Sequence, residues 1–297
     1  MTGPFLHHQI AVSRNIGWVT EAEQHALRGK RVAIAGLGGV GGSHLLTLTR
    51  LGIGAFHISD FDRFELANFN RQAGATHSNL HRPKVDVLAE MARDINPSLD
   101  LQLFPQGINA QNVRAFLEGV DVYVDGLDFF AVDARRLVFQ ACTELKIPAI
   151  TVAPIGMGAA LLTFMPGRMT FEEYFQLEGQ PYFEQLLRFL LGVTPARLQM
   201  PYLADPSAVE LADGKGPSTA MGCELSTGIA ATETLKILLG RGKVIAAPHG
   251  VHFDAYRNKL KRTWRPWGNR NPIQRLALMI ARKRFAKSLP PSQPAAV

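Results

Sequence analysis

At 297 residues and 46% hydrophobic content, the chain can bury a full core, as one large domain or a domain with a substantial insertion. No apolar run reaches the roughly 18 residues of a membrane-spanning helix, and two cysteines, Cys142 and Cys223, are too few for a disulfide framework or a four-cysteine structural zinc site. The net charge of +7 is unevenly spread: residues 255–297 hold 11 Lys and Arg and no Asp or Glu, so the remainder is mildly acidic.

The first 30 residues lack a charged segment followed by an apolar one, so no signal peptide is read. With two free cysteines, a reducing, cytoplasmic setting is expected. Thr20 followed by Glu23 resembles a capping box ahead of a short helix. Upstream stands Arg14, a single arginine that nothing local explains. From Arg31 a strand (31–35) empties into Gly36-Leu37-Gly38-Gly39-Val40-Gly41, followed by a helix (40–51) closed by Gly52 and a strand (55–60). This is a βαβ unit with parallel strands, whose ligands sit at the strands' carboxyl ends. Gly36, Gly38 and Gly41 satisfy the dinucleotide fingerprint, and Asp60 follows about twenty residues on, where a ribose-binding acid is expected. Taken alone, this pattern reads as an NAD site.

Beyond Asp60 the chain departs from what hydride transfer needs. Asp62 leads into Asn68-Phe69-Asn70-Arg71-Gln72, and Arg82-Pro83-Lys84 opens a helix at about Val85. Arg71 and Lys84 are either solvated surface charges or, beside a glycine loop and an acid, parts of a phosphate cradle. A strand (99–104), a short helix (112–117) and a strand (120–125) follow, ending in Asp125-Gly126-Leu127-Asp128. Carboxylates at that edge either hold Mg²⁺, which takes one or two carboxylates plus phosphate oxygens, or cap the loop and the helix at 132–145. Cys142 falls on the apolar side of that helix.

Strands at 149–152 and 159–164 precede an excursion, 168–218, with two aromatic helical patterns and a Pro/Gly-rich loop. Such a segment is a lid, a partner surface or a flexible crossover. Order resumes at Gly222-Cys223-Glu224, with Ser226-Thr227 expected to cap a helix running to Leu239. Cys223 at a helix N-terminus is either a thiol of lowered pKa, and so a nucleophile, or a small buried residue. The last residues hold Trp264, Trp267 and a basic amphipathic helix from Ile273 to Phe285, then Pro290-Pro291-Ser292-Gln293-Pro294, a disordered end. That helix suits an anionic membrane surface, an acidic partner, or packing on its own domain. The expected architecture is α/β: a Rossmann-like, doubly wound, mostly parallel sheet with a helical crossover insertion. Its units are 1–30, a nucleotide-binding part at 31–167, the crossover at 168–221, a return helix and strand at 222–256, and a basic tail at 257–297.

In this order and spacing, the doubled-glycine loop, Asp60-Phe61-Asp62, Asn68 to Gln72, Arg82-Pro83-Lys84 and the Asp125 to Asp128 turn with Arg135 resemble the ThiF/MoeB/HesA family of ATP-dependent adenylyltransferases, relatives of ubiquitin-activating enzymes. By that resemblance Gly36, Gly38, Gly39 and Gly41 cradle ATP, and Asp60 holds the ribose with Asp62 beside it. Asn68, Arg71, Gln72 and Lys84 contact phosphates, and Asp128 holds Mg²⁺. Arg14 matches an arginine that family members reach across a homodimer interface. The implied reaction is attack of a substrate carboxylate on the α-phosphate. The donor is the C-terminus of a small ubiquitin-like or sulfur-carrier protein, or of a peptide. Phe129 stands where many members have Asn, the paired Cys-x-x-Cys zinc site is absent, and Cys223 lies close to where thiol-using members keep a cysteine. Two other readings remain. Asp94-Ile95-Asn96-Pro97 is similar to the branch that dehydrates a threonylcarbamoyl nucleoside in transfer RNA, for which the basic tail would bind nucleic acid. The other is an NAD(P) oxidoreductase or a nucleotide-binding scaffold without turnover.

Overall fold

The apolar run Arg31–Ala35 becomes β1, with Val32 and Ile34 facing one core and Ala33 and Ala35 the other, as a strand buried on both faces requires. The computed structural model describes residues 9–211 and 216–285. Around β1 are arranged β2 (Ala55–Ser59), β3 (Asp100–Phe104), β4 (Val122–Asp125), β5 (Ala149–Ile155), β6 (Gly158–Phe164), β7 (His249–Asp254) and β8 (Lys259–Trp264). They form one sheet in the order β3-β2-β1-β4-β5-β6-β7-β8. The first five strands pair in parallel and the last three join antiparallel. Strand order reverses between β1 and β4, so the crevice for a ligand opens at their carboxyl ends.

Helices cover both faces. On one lie α1 (Glu21–Arg28), α2 (Gly41–Leu51), α3 (Lys84–Ile95) and α8 (Ala220–Leu239), packed through Leu27, Leu45, Leu48, Leu88 and Ala230. On the other lie α4 (Val113–Phe116), α5 (Val132–Leu145), α6 (Phe171–Phe175) and α7 (Tyr182–Val193), meeting in an aromatic core of Phe116, Tyr123, Phe139, Phe164, Phe171, Phe175 and Phe189. Thr20 and Glu23 form the expected capping box, each side chain accepting from the other's backbone N–H.

Three features differ from the sequence-based reading. The helical part of the crossover is packed into the core through Phe171, Phe175 and Phe189, whereas the described residues after α7 form two 3₁₀ turns, with Tyr202 bonded to Asp254 at the end of β7. Helix α8 starts at Ala220, capped by Thr219, whose hydroxyl accepts from Gly222 N–H at 3.1 Å; Ser226 and Thr227 are buried inside the helix. Lys259–Trp264, expected as tail, is the edge strand β8, and Pro272–Phe285 forms α9, docked on α7. There Glu184 receives Arg188 from its own helix at 2.7 Å and Arg282 from α9 at 2.5 Å, while Gln274 donates to the Leu191 carbonyl at 2.9 Å. Asp213-Gly214 and the proline-rich end at 290–294 lie outside the described residues.

Candidate nucleotide site

Residues 36–41 turn the chain from β1 into α2. Gly36 adopts φ +82°, and a β-carbon there would meet the Gly126 carbonyl after β4. A β-carbon on Gly41 would strike the Gly36 carbonyl. These two glycines therefore allow the close approach of the β1 turn, the β4 turn and α2. Gly38 and Gly39 have another use: their missing side chains leave room beside Gln72 and beside Arg71 and Cys223. No side chain caps α2, whose N-cap is Val40. Gly42 N–H reaches the Gly38 carbonyl at 3.4 Å; with no side-chain cap, the positive end of the helix dipole at this turn favours an anion such as a phosphate.

Asp60, at the end of β2, fastens this loop. One carboxylate oxygen accepts from Leu37 N–H at 2.6 Å, the other from Asp62 N–H at 2.8 Å. Burial pushes the Asp60 carboxyl up, while those amides and the Lys84 charge pull it back. Asp62 in turn accepts from Lys84 Nζ at 2.9 Å; the lysine is buried and its partner half exposed. Asn68 closes a single turn of 3₁₀ helix by accepting from Glu65 N–H. That turn projects Arg71, whose guanidinium donates to the Ala67 carbonyl at 3.0 Å and to Asn70 at 2.9 Å. Gln72 is nine-tenths buried beside Gly38, and its Oε1 has no partner.

The β4 turn gives its two carboxylates different surroundings. Asp125 is fully engaged: it accepts from the buried Arg135 Nε at 2.8 Å, Thr151 at 2.9 Å and Tyr123 at 3.2 Å, and from Leu127 N–H at 3.2 Å. It is structural. Arg135, stacked 4.5 Å over the Phe189 ring, also donates to the Leu127 and Asp128 carbonyls and so shapes the turn. Asp128 is exposed, with one oxygen on Phe130 N–H at 2.9 Å. Among the described residues, no group of three or more His, Cys, Asp and Glu could hold a metal alone. One exposed carboxylate beside a phosphate cradle fits Mg²⁺, which completes its shell with phosphate oxygens and water.

Cys223 comes to the cradle but not as an activated thiol. It lies in the first turn of α8, 1% exposed, behind Gly39. Burial pushes its pKa up, with the Ser218 hydroxyl and the Arg71 charge opposing. Of the two readings from sequence, this burial favours a small packed residue over a thiol of lowered pKa. Arg14 is not brought to the loop. It is exposed on a turn whose Asn15 donates to the Arg50 and Leu51 carbonyls at the far end of α2, about 16 Å from that helix's start.

The sequence did not reveal how α8 is tied to this site. Thr219 donates to the Gly156 carbonyl at 2.7 Å, Asn70 to the Ser218 carbonyl at 3.0 Å, and Ser43 in α2 to Glu224 at 3.2 Å. Thr219 directly before a helical pattern was a readable cap; nothing marked Ser43 or Glu224.

A family model described as the ThiF family matches residues 12–275. Among curated relatives, the sulfur carrier protein ThiS adenylyltransferase of Escherichia coli K12 is 31% identical over 143 residues, 48% of this chain and 56% of that protein. The tRNA threonylcarbamoyladenosine dehydratase of the same strain is 31% identical over 126 residues, 42% of this chain and 46% of that one. The molybdopterin-synthase adenylyltransferase of Haemophilus influenzae is 26% identical over 159 residues, 53% and 65%. The chain thus spans about half the length of the curated relatives it matches. Among solved structures, PaaA superposes with a TM-score of 0.64 at 15% identity, covering 89% of this chain and 74% of that one. E. coli MccB crystallised with MccA gives 0.62 at 17%, covering 88% and 69%. At these identities the structures establish a common fold.

Proposed function

Because the chain belongs to the ThiF family, we propose that it is an ATP-dependent adenylyltransferase that activates a substrate carboxylate. The observation that carries this reading is Arg71 laid along Gly39, its Nε 3.6 Å from where a β-carbon would stand, next to the uncapped start of α2. Hydride transfer has no use for a guanidinium there, whereas a triphosphate does.

In the proposed reaction a carboxylate oxygen of the substrate attacks the α-phosphorus of ATP. The new P–O bond forms as the bond to the pyrophosphate oxygen breaks, and pyrophosphate leaves with the electron pair. Both partners are anionic, so the barrier falls with fixed positive charge. The α2 N–H groups and Arg71 hold the phosphates; Lys84, steadied by Asp62, faces the same crevice; Gln72 and Asn68 offer amide donors. Asp60 sets the loop through Leu37 and, by resemblance, faces the ribose. Mg²⁺ on Asp128 supplies charge neutralisation when bound. Arg14 stands a helix length from its own loop, which supports a homodimer in which each subunit lends Arg14 to the other. Cys223 at the back of the loop serves first as packing; a thiol-transfer role requires the first turn of α8 to open.

The relatives' names point to the donor: the C-terminus of a small sulfur-carrier protein, as for ThiS, or of a peptide, as for MccA. The match to the transfer RNA dehydratase keeps a nucleoside carboxylate as the second candidate. The test is ATP–pyrophosphate exchange with Mg²⁺, with a carrier protein, a peptide or transfer RNA added in turn. Exchange dependent on one of them names the donor. NADH binding without ATP binding overturns the proposal.

A further inference from the structure

Helix α9 buries one face and presents a second apolar one. Gln274, Ala277 and Leu278 turn toward Leu187, Leu191 and Leu211, and the Arg282–Glu184 pair fixes the helix there. On the opposite side Ile273, Leu276, Met279 and Ile280 are 59%, 54%, 46% and 52% exposed. At helical spacing these four side chains fill an arc of about 120°. Arg275 borders one side of it and Arg284 the other, while Lys283 continues it toward the C-terminus; all three are exposed.

The charge around this stripe selects what covers it. From residue 255 to the end of the chain there is no Asp or Glu. An occupant must be apolar along the stripe and anionic at its margins. A second copy of α9 would set Arg275, Lys283 and Arg284 against their own kind. Nucleic acid offers phosphates but nothing for four aliphatic side chains. A convex helix is also a poor groove for a peptide. The segment leading into α9 adds Trp264 and Trp267, 60% and 65% exposed, residues that favour a water–lipid boundary. Among the described residues no helix is long and apolar enough to cross a membrane, so the contact is parallel to a surface.

We propose that α9 docks the protein on an anionic membrane surface, with Ile273, Leu276, Met279 and Ile280 entering the acyl boundary and the flanking arginines and Lys283 on lipid headgroups. This does not depend on the adenylation chemistry. The test is sedimentation of the full chain with vesicles of equimolar phosphatidylcholine and phosphatidylglycerol, against phosphatidylcholine alone, at low and high salt. Binding is expected only with the anionic vesicles, weaker in salt, and reduced about tenfold or more in Leu276→Glu/Ile280→Glu. Both positions face solvent, so circular dichroism and ATP binding of the variant should match the wild type. Equal sedimentation with neutral vesicles, or no effect of the double substitution, overturns the proposal. So does a wild type that ignores vesicles while the substitution splits a dimer, or one that binds RNA in gel-shift assays with the variant unchanged.

Discussion

The sulfur of Cys223 lies 3.0 Å from the point that a β-carbon on Gly39 would occupy. The first turn of α8 is thus pressed against the glycine loop, and Gly39 is glycine because a thiol stands behind it. Gly39→Ala should push loop and helix apart and lower ATP–pyrophosphate exchange about tenfold or more, since small misplacements are costly in a preorganised site. Adding Cys223→Ala should restore most of the loss. A double variant as impaired as Gly39→Ala alone would show that some other neighbour excludes the side chain.

Arg71→Ala and Lys84→Ala should each reduce exchange about 10²-fold or more while leaving the thermal midpoint near that of the wild type. Arg71 bonds only to groups exposed to water, and removing Lys84 leaves Asp62 at 52% exposure rather than stranding a buried charge. Melting curves measured beside the exchange assay separate the two effects. Activity close to wild type would remove that side chain from the cradle.

Arg135→Met acts differently. It abandons Asp125 in a site where both side chains are 3% exposed or less, and it frees the Leu127 and Asp128 carbonyls. A loss of about 3–5 kcal/mol in urea unfolding is expected, because the carboxylate stays buried without its partner. Asp125→Asn should also be costly, because its NH2 group would face a donor and Arg135 would keep a buried charge without its counter-ion.

His44, in the first turns of α2, is fully buried with both ring nitrogens unpartnered, and burial lowers its pKa to about 3. The folded chain therefore binds fewer protons than the unfolded one. Stability is complete above the ordinary histidine pKa of about 6.5 and is lost as pH falls from there toward 3. Between about pH 7 and pH 5 this one group should remove about 2 kcal/mol. His44→Leu should flatten that part of the curve, read from urea midpoints across the range. Some slope will remain, because burial lowers His252 in the same direction.

If Arg14 serves the neighbouring subunit, Arg14→Ala and Lys84→Ala should each be inactive alone yet recover activity when mixed. Random reassociation leaves about a quarter of the sites intact. Exchange measured after mixing should approach that fraction; no recovery would place Arg14 outside the site.

The glycine loop, β1, α2, β2 and the capping box at Thr20 were legible because each is set by local chemistry: a turn needing bare backbone, a period of burial, a side chain capping its own helix. What escaped depends on distant partners. Asp128 was singled out over Asp125 by resemblance; the partners Arg135, Thr151 and Tyr123, which engage Asp125 in the interior, are gathered by folding and could not be read from the sequence. Cys223 showed a helix start nearby but not the depth at which that start is buried. Strand β8 was hidden by its own composition, since an edge strand exposed on both faces need not alternate.

That edge strand bears on how the protein behaves in a crowded solution. Among the described residues no strand lies beyond β8, so its outer amides and carbonyls could seed a ninth strand from another molecule. Lys259, Lys261 and Arg262, three cations in six residues, would meet the same three on any identical strand. Such repulsion works against edge-to-edge growth of the sheet. Exchanging those cations for Thr or Val should leave the fold intact and raise the tendency of the protein to aggregate, read as light scattering against concentration.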